Sequence, residues 1–257
     1  MDQPWVKEYL ERIHAPRPAG PGTDGLRSLH AAHLHTVPFE NLSIHLGEVI
    51  RLDQEALLDK LLARIRGGFC YELNGGFALL LGALGFDVTM LAARVFAGDD
   101  LGPPFDHLVL RVDTPEPWLA DVGFGKHSLY PLRLNDRSAQ DDPDGQFTVT
   151  ETPDGDVDVS LDGKPQYRVE LRPRRIRDFE PMCWWHQTSP KSHFTRSLTC
   201  SLRTETGRVT LSDRLLIETR NGERIETELT DDLAVLAAYQ AYFGIRLERV
   251  PHIRRRF

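Results

Sequence analysis

Cysteine is scarce in this chain of 257 residues, with Cys70, Cys183 and Cys200 the whole set. An odd, sparse set excludes a disulfide framework, and a chain this long buries a sizeable core without staples. It points to a reducing compartment, and with no basic and apolar leader at the start we expect a cytoplasmic protein. Long apolar runs are missing too. The longest uncharged one, Leu73–Phe86, falls short of the roughly 20 residues of a membrane span, so no membrane partner is expected. Positive charge is in deficit: 31 Lys and Arg against 38 Asp and Glu leave −7. With no long basic run, nucleic acid is an improbable partner. No Cys-x-x-Cys or His-x-x-x-His pair offers the ligands of a structural metal. There is no Gly-rich phosphate loop, no internal repeat and no low-complexity segment.

The first 86 residues read as mostly helical. Trp5, Val6, Tyr9, Leu10 and Ile13 recur at helical spacing after Pro4, a good first-turn residue. Leu57, Leu58, Leu61, Leu62 and Ile65 form a second stripe behind Asp53, an N-cap, with Gly67 as its stop. A third helix is predicted from Cys70 to Gly85. From Asp87 short strands take over, Val88–Val95, His107–Val112 and Trp118–Val122. Pro153-Asp154-Gly155, Asp162-Gly163 and Asn221-Gly222 are hairpin signals. Thr230 opens a last helix with Leu233, Leu236, Ala237 and Phe243 on one face, closed by Gly244. Helices, then antiparallel strands, then a mixed tail make an α+β chain.

Cys70 lies in Arg66-Gly67-Gly68-Phe69-Cys70-Tyr71-Glu72-Leu73-Asn74, at a glycine break before a new helix. A thiol there meets unpaired backbone N–H groups and the positive end of the helix dipole, which favour thiolate. The two glycines let another group approach the sulfur closely. Cys183 and Cys200 lack this setting and read as packing residues. A nucleophilic thiol needs a base. His107 opens one strand and Asp121 closes the next, with Thr114-Pro115-Glu116-Pro117 between them. A hairpin centred on residues 114–115 sets His107 beside Asp121, close enough for carboxylate–imidazole contact. With Cys70 the pair makes a Cys–His–Asp triad: His107 takes the thiol proton, and Asp121 orients and stabilises the imidazole.

At these residues the sequence resembles the arylamine N-acetyltransferase family. The match rests on Val37-Pro38-Phe39-Glu40-Asn41-Leu42, the Arg66–Asn74 segment, Asp106-His107-Leu108 and Asp121-Val122-Gly123-Phe124-Gly125, in family order. The second half matches loosely, mainly through Ser192-His193-Phe194 to Ser201. The resemblance implies a helical N-terminal domain (1–86), an antiparallel β-barrel middle domain (87–185) and an α/β C-terminal lid (186–257). It implies acetyl-coenzyme A as co-substrate, no metal, and ping-pong transfer through an acetyl-cysteine to an arylamine or hydrazine. It assigns Phe39, Val95 and Phe124 to the acceptor pocket, and Glu40 and Arg64 to a supporting salt bridge. Gly123 and Gly125 either admit the coenzyme's pantetheine arm or simply form a tight turn. Our own addition is the Tyr71 backbone N–H as an oxyanion donor at the helix start. The Arg254-Arg255-Arg256 tail reads as a solvated terminus.

Triad residues alone do not separate this chemistry from that of a thiol hydrolase or transamidase, where water or another amine resolves the acyl-enzyme. An amide synthase closing a polyketide chain would use the same three groups on another donor. A non-catalytic module with a dead triad or a zinc site is the alternative outside enzymology. A homo-oligomer is compatible with all of these.

Overall fold

The computed structural model describes residues 3–253; the Arg254-Arg255-Arg256 tail lies outside them. Helix α1 (Pro4–Arg12) starts on Pro4 and buries Val6, Tyr9 and Leu10. Helix α2 (Thr23–Thr36), strand β1 (Phe39–Glu40) and helix α3 (Leu42–Leu46) follow. Helix α4 (Gln54–Leu58) is capped as expected by Asp53, whose carboxylate accepts the Ala56 N–H at 3.2 Å. It then widens into a π-helical turn, Asp59–Ala63. Ile65 does not continue the apolar stripe: it takes φ 51° and is 40% exposed. The left-handed residue turns the chain away from the helix axis, so helical spacing no longer places its side chain. Helix α5 (Cys70–Ala83) is buried over most of its circumference and is followed by Gly85 at φ 89°, a backbone angle that favours glycine.

An antiparallel nine-stranded sheet comes next: β2 (Asp87–Ala97), β3 (Asp100–Leu101), β4 (His107–Asp113), β5 (Pro117–Ala120), β6 (Leu132–Arg133), β7 (Gln140–Asp142), β8 (Gly145–Glu151), β9 (Val157–Leu161) and β10 (Lys164–Arg174). Its order is β6-β5-β4-β2-β10-β9-β8-β7, with β3 alongside β2. The two edge strands meet through Gln140, whose side-chain amide accepts from the Arg133 N–H (2.7 Å) and donates to the Arg133 carbonyl (3.0 Å). One amide thus stands in for a missing ladder rung, and the sheet nearly closes into a barrel. The expected turns at Pro153–Gly155 and Asp162-Gly163 join β8 to β9 and β9 to β10.

Strand β4 reads as a continuous apolar run because both of its faces are buried. Leu108, Leu110 and Val112 pack with α5 in the first core cluster, while Val109 joins the barrel interior with Leu91, Ala93, Phe147 and Tyr167. His107 shares the parity of Val109 and lies on the barrel side. The β4–β5 register pairs Leu110 with Ala120 and Arg111 with Leu119. Continued at that spacing, Asp121 comes opposite Val109, not His107. His107 and Asp121 are therefore diagonal neighbours rather than directly opposed, and the turn is centred slightly later than expected. The shift is an even number of residues, so both side chains stay on one face; a one-residue slip would have separated them.

A 3₁₀ turn (Ile176–Phe179) and helices α6 (Glu180–Thr188) and α7 (His193–Arg196) bring Phe179 and Cys183 into the first core cluster. The remaining strands, β11 (Thr199–Thr204), β12 (Gly207–Ser212), β13 (Leu215–Arg220) and β14 (Glu223–Glu228), extend from β1 as a five-stranded sheet. Asn221-Gly222 makes the last hairpin, both residues with positive φ. Helix α8 (Asp232–Phe243) packs on this sheet through Val235, Ala238, Tyr239 and Phe243, and Gly244 ends it at φ 69°. The expected face was wrong at Leu233, which is 79% exposed, and at Ala237, which is exposed too. Asp231, not Thr230, caps the helix, and packing follows Tyr239 rather than the first leucine. Among the described residues no helix is long and apolar enough to cross a membrane.

Candidate active site

Cys70 is the first residue of α5. The turn before it is held by Glu72, whose Oε2 accepts the Phe69 N–H at 3.2 Å while Oε1 takes Lys60 Nζ at 2.6 Å. The two preceding glycines serve this turn rather than access to the sulfur. A Cβ on Gly67 would fall 1.8 Å from the Pro38 carbonyl oxygen, and one on Gly68 would meet the Glu72 side chain. Glu40 N–H donates to the Gly68 carbonyl at 2.8 Å, so the segment before Cys70 runs against β1.

His107 and Asp121 form a buried pair, Nε2 to Oδ2, at 2.7 Å. Asp121 Oδ1 accepts from Asn74 Nδ2 and from the Gly123 N–H, each at 2.9 Å. Burial pushes the Asp121 carboxyl up, but His107, His127 and the Asn74 donor outweigh it and hold the group well below the usual carboxylate range.

Two residues that sequence reasoning passed over hold this pair in place. Asn74 lies one turn after Cys70 and is fully buried. Its Nδ2 also donates to the Leu108 carbonyl (2.6 Å), and its Oδ1 accepts the Val122 N–H (2.9 Å). One side chain thus ties the cysteine helix to the residues after both His107 and Asp121. The signal available was its i+4 spacing from Cys70, which places both on one helix face. His30 on α2 accepts the Asp121 N–H at Nε2 (3.1 Å) and reaches the Leu129 carbonyl at Nδ1 (2.8 Å). That pattern requires a neutral ring with its proton on Nδ1, and burial lowers its pKa to about 4.

Cys70, His107 and Asp121 are each no more than 3% exposed. Burial pushes the Cys70 thiol well up, and the Asp106 and Asp121 charges act in the same direction; a backbone hydrogen bond at Leu108 pulls it down. The helix start alone therefore does not make a thiolate, contrary to what its position suggested. Tyr71 anchors the approach to His107 by donating its hydroxyl to the carbonyls of Phe105 (2.7 Å) and Asp106 (3.1 Å).

Phe124 packs edge-on against His107 at 5.2 Å and lies 5.2 Å from Tyr167. Val95 is paired with Tyr167 across the barrel sheet. Phe39 faces Gly125, where a Cβ would lie 3.6 Å from the ring, and stands 6.3 Å from Phe194. A Cβ on Gly123 would lie 2.8 Å from Cys70 Cα, so the close approach at this glycine is to α5. Gly125 has φ 92°, as the turn after β5 requires. The Glu40–Arg64 bridge is corrected: Glu40 pairs with Arg66 at 2.8 Å and lies 3.7 Å from Lys60. Arg64 instead reaches Glu48 at the surface, because the left-handed turn at Ile65 sends the two arginines in different directions. Burial raises the Glu40 carboxyl, but Arg66 and Lys60 hold it low. Among the described residues no group of three or more His, Cys, Asp or Glu is arranged to hold a metal ion.

A family model described as N-acetyltransferase matches residues 23–252. The arylamine N-acetyltransferase of Escherichia coli K12 is 34% identical, over 97% of this chain and 92% of its own length. The solved structure of the Salmonella typhimurium arylamine N-acetyltransferase superposes with a TM-score of 0.88 at 31% identity, covering 98% of this chain and 95% of that one. The Mycobacterium marinum enzyme, solved in complex with CoA, superposes with a TM-score of 0.85 at 32% identity, covering 93% and 92%. With its barrel, its cysteine helix and matches that run nearly end to end, the chain belongs to the arylamine N-acetyltransferase family.

Proposed function

We propose that the chain moves an acetyl group from acetyl-coenzyme A to the nitrogen of an arylamine or arylhydrazine by double displacement, with Cys70 as the carrier. The observation that carries this reading is the buried 2.7 Å contact between His107 Nε2 and Asp121 Oδ2, joined to the cysteine helix through Asn74. Because Asp121 engages Nε2, Nδ1 is the nitrogen left to take the thiol proton. The Cys70 thiolate adds to the acetyl carbonyl, the coenzyme C–S bond breaks, and the imidazolium returns its proton to the departing coenzyme thiolate. The amine nitrogen then attacks the acetyl-cysteine and loses its proton to His107. The C–S bond to Cys70 breaks, and the thiolate is reprotonated. Exchange between thioesters is close to thermoneutral, which suits a sulfur carrier.

The Glu72 N–H already bonds the Phe69 carbonyl at the helix start, and the Tyr71 N–H before it is the oxyanion donor in this scheme. Phe39, Phe124 and Val95 supply an aromatic and aliphatic lining for a flat acceptor. Near-complete burial of the reacting groups keeps water from the acetyl-enzyme. The relative solved with CoA supports the coenzyme as donor.

Initial-rate kinetics test the reading. Double displacement gives parallel lines when acetyl-coenzyme A is varied at several fixed amine concentrations, with stoichiometric release of free coenzyme before amine is added. Intersecting lines and no release without amine would mean that donor and acceptor react directly. Cys70→Ser abolishes both phases, whereas Cys183→Ser and Cys200→Ser, at buried packing positions in separate core clusters, leave them largely intact.

A further inference from the structure

A second imidazole–carboxylate contact lies one residue from His107. His186 on α6 holds its Nε2 3.2 Å from Asp106 Oδ1 and its Nδ1 3.2 Å from Ser192 Oγ. Ser192 accepts the Phe194 N–H at 3.2 Å and so caps α7. Phe194 N–H donates to Ser192 Oγ and the Ser192 O–H is free to donate to His186 Nδ1, while His186 Nε2 meets Asp106 Oδ1 as a close polar contact without hydrogen-bond alignment. The ring is buried between Phe69, Tyr71, Trp185 and Phe194, at centroid distances of 5.0–6.3 Å.

Both ends of this chain of contacts reach the reaction centre. Asp106 directly precedes His107, and its carbonyl accepts the Tyr71 hydroxyl from α5. The residue before it, Phe105, takes φ 62°, with Arg174 over its ring at 4.8 Å. A non-glycine residue in the left-handed region persists only where its surroundings hold it. At the other end, the Phe194 ring packs edge-on against Phe69, the residue before Cys70, at 5.2 Å and faces Phe39.

We propose that Asp106, His186 and Ser192 form a positioning relay for the acetyl-transfer centre, which holds the His107 end of β4 against α5 and fixes the Phe194 wall of the cleft. His186 acts through Asp106 and does not touch the reacting atoms. The proposal rests on the reading of Cys70, His107 and Asp121 given above. Cys70 faces the carboxylates of Asp106 and Asp121, the Cys183 thiol and the Tyr71 phenol, while Lys60 and Glu72 pair with each other beside the helix start. The Asp106 charge opposes the Cys70 thiolate. The polar edge of the His186 ring lies 3.2 Å from that charge and offsets it, so deleting the ring nitrogen and deleting the charge have opposite effects on thiolate formation.

The test is the pH dependence of Cys70 alkylation by iodoacetamide in the full chain, with the modified residue located by peptide mapping. His186→Phe keeps the aromatic packing and removes the polar contact with Asp106, and the midpoint rises. Asp106→Asn removes the charge, and the midpoint falls; each shift is about 0.5 pH unit or more. The double variant follows Asp106→Asn, because His186 has nothing left to act on. His186→Gln, which keeps a polar group beside Asp106, stays near wild type. Shifts of the same sign, unchanged midpoints or a double variant that sums its parents overturn the relay. Where His186→Phe does not fold, Asp106→Asn decides alone: a midpoint at or above wild type overturns it. Alkylation that misses Cys70 in the wild type overturns the triad reading and the relay with it, whereas alkylation at Cys70 with the wrong shifts overturns the relay only.

Discussion

Asp121→Asn is the substitution for which the surroundings most fully dictate the outcome. The carboxylate accepts at both oxygens: Oδ2 from His107, Oδ1 from Asn74 and from the Gly123 N–H. An asparagine can place its NH₂ at only one of these positions. Placed toward Asn74 and Gly123, it leaves two buried donors without an acceptor, at about 1–3 kcal/mol each. Placed toward His107, it keeps those two bonds and offers a donor to Nε2, so the imidazole must move its proton to Nδ1. The second arrangement is the cheaper one, and it is the damaging one, because a protonated Nδ1 cannot take the Cys70 proton. We expect kcat for acetyl transfer to fall by roughly 10²–10⁴, the range in which an orienting carboxylate acts in other triads. The assay is arylamine acetylation at saturating donor, with circular dichroism and a thermal melt showing that the variant is folded. A folded Asp121→Asn protein within about threefold of the wild-type rate would refute the reasoning.

Three further outcomes follow from the same contacts. Asn74→Ala removes the acceptor of the Val122 N–H and donors to Leu108 and Asp121; urea melts should show a loss of about 2–4 kcal/mol, and Cys70 alkylation should slow. Arg66→Met strands the buried Glu40 charge and costs about 3–5 kcal/mol, whereas Arg64→Met, at a bridge more than a third exposed, costs about 0–1 kcal/mol; equal losses would contradict the assignment of Glu40 to Arg66. His30, His33 and His127 are held neutral by burial, with pKa values lowered from 6.5 to about 4, 3 and 4. Between pH 6.5 and about 4 the unfolded chain takes up protons that the folded chain refuses, so stability falls as pH drops through that window. The urea midpoint should decline from pH 7 to pH 5, and less steeply in His127→Phe.

The cysteine helix and the His107–Asp121 pair were legible because local rules place them. A glycine break sets the start of α5, and strand parity keeps residues 107 and 121 on one face even though the turn centre was misjudged. Asn74 and His30 were not, because their partners are distant in the chain: Asp121 lies 47 residues beyond Asn74 and 91 beyond His30. Nothing local distinguishes an asparagine that bonds two distant backbone groups and a carboxylate from a tolerated polar residue in an apolar helix. The arginine assignment failed at a single dihedral, φ 51° at Ile65, which helical periodicity does not reveal. The orientation of α8 was misjudged because its sequence is apolar around most of its circumference, so the sheet it covers, not its own pattern, chooses Val235 and Tyr239 over Leu233. The thiol's burial is likewise a tertiary property: the helix start is written in the sequence, but the low-dielectric setting of Cys70 is assembled from α5, β4 and the turn after β5.

The central claim is that Cys70 carries the acetyl group, and peptide mapping of the acetyl-enzyme tests it most directly. Protein mixed with acetyl-coenzyme A without amine, quenched in acid and digested, should carry one acetyl group on the peptide containing Cys70. That label should disappear when an arylamine is added before the quench. An unlabelled Cys70 peptide, or a label on Cys183 or Cys200 that the amine does not remove, would contradict the account.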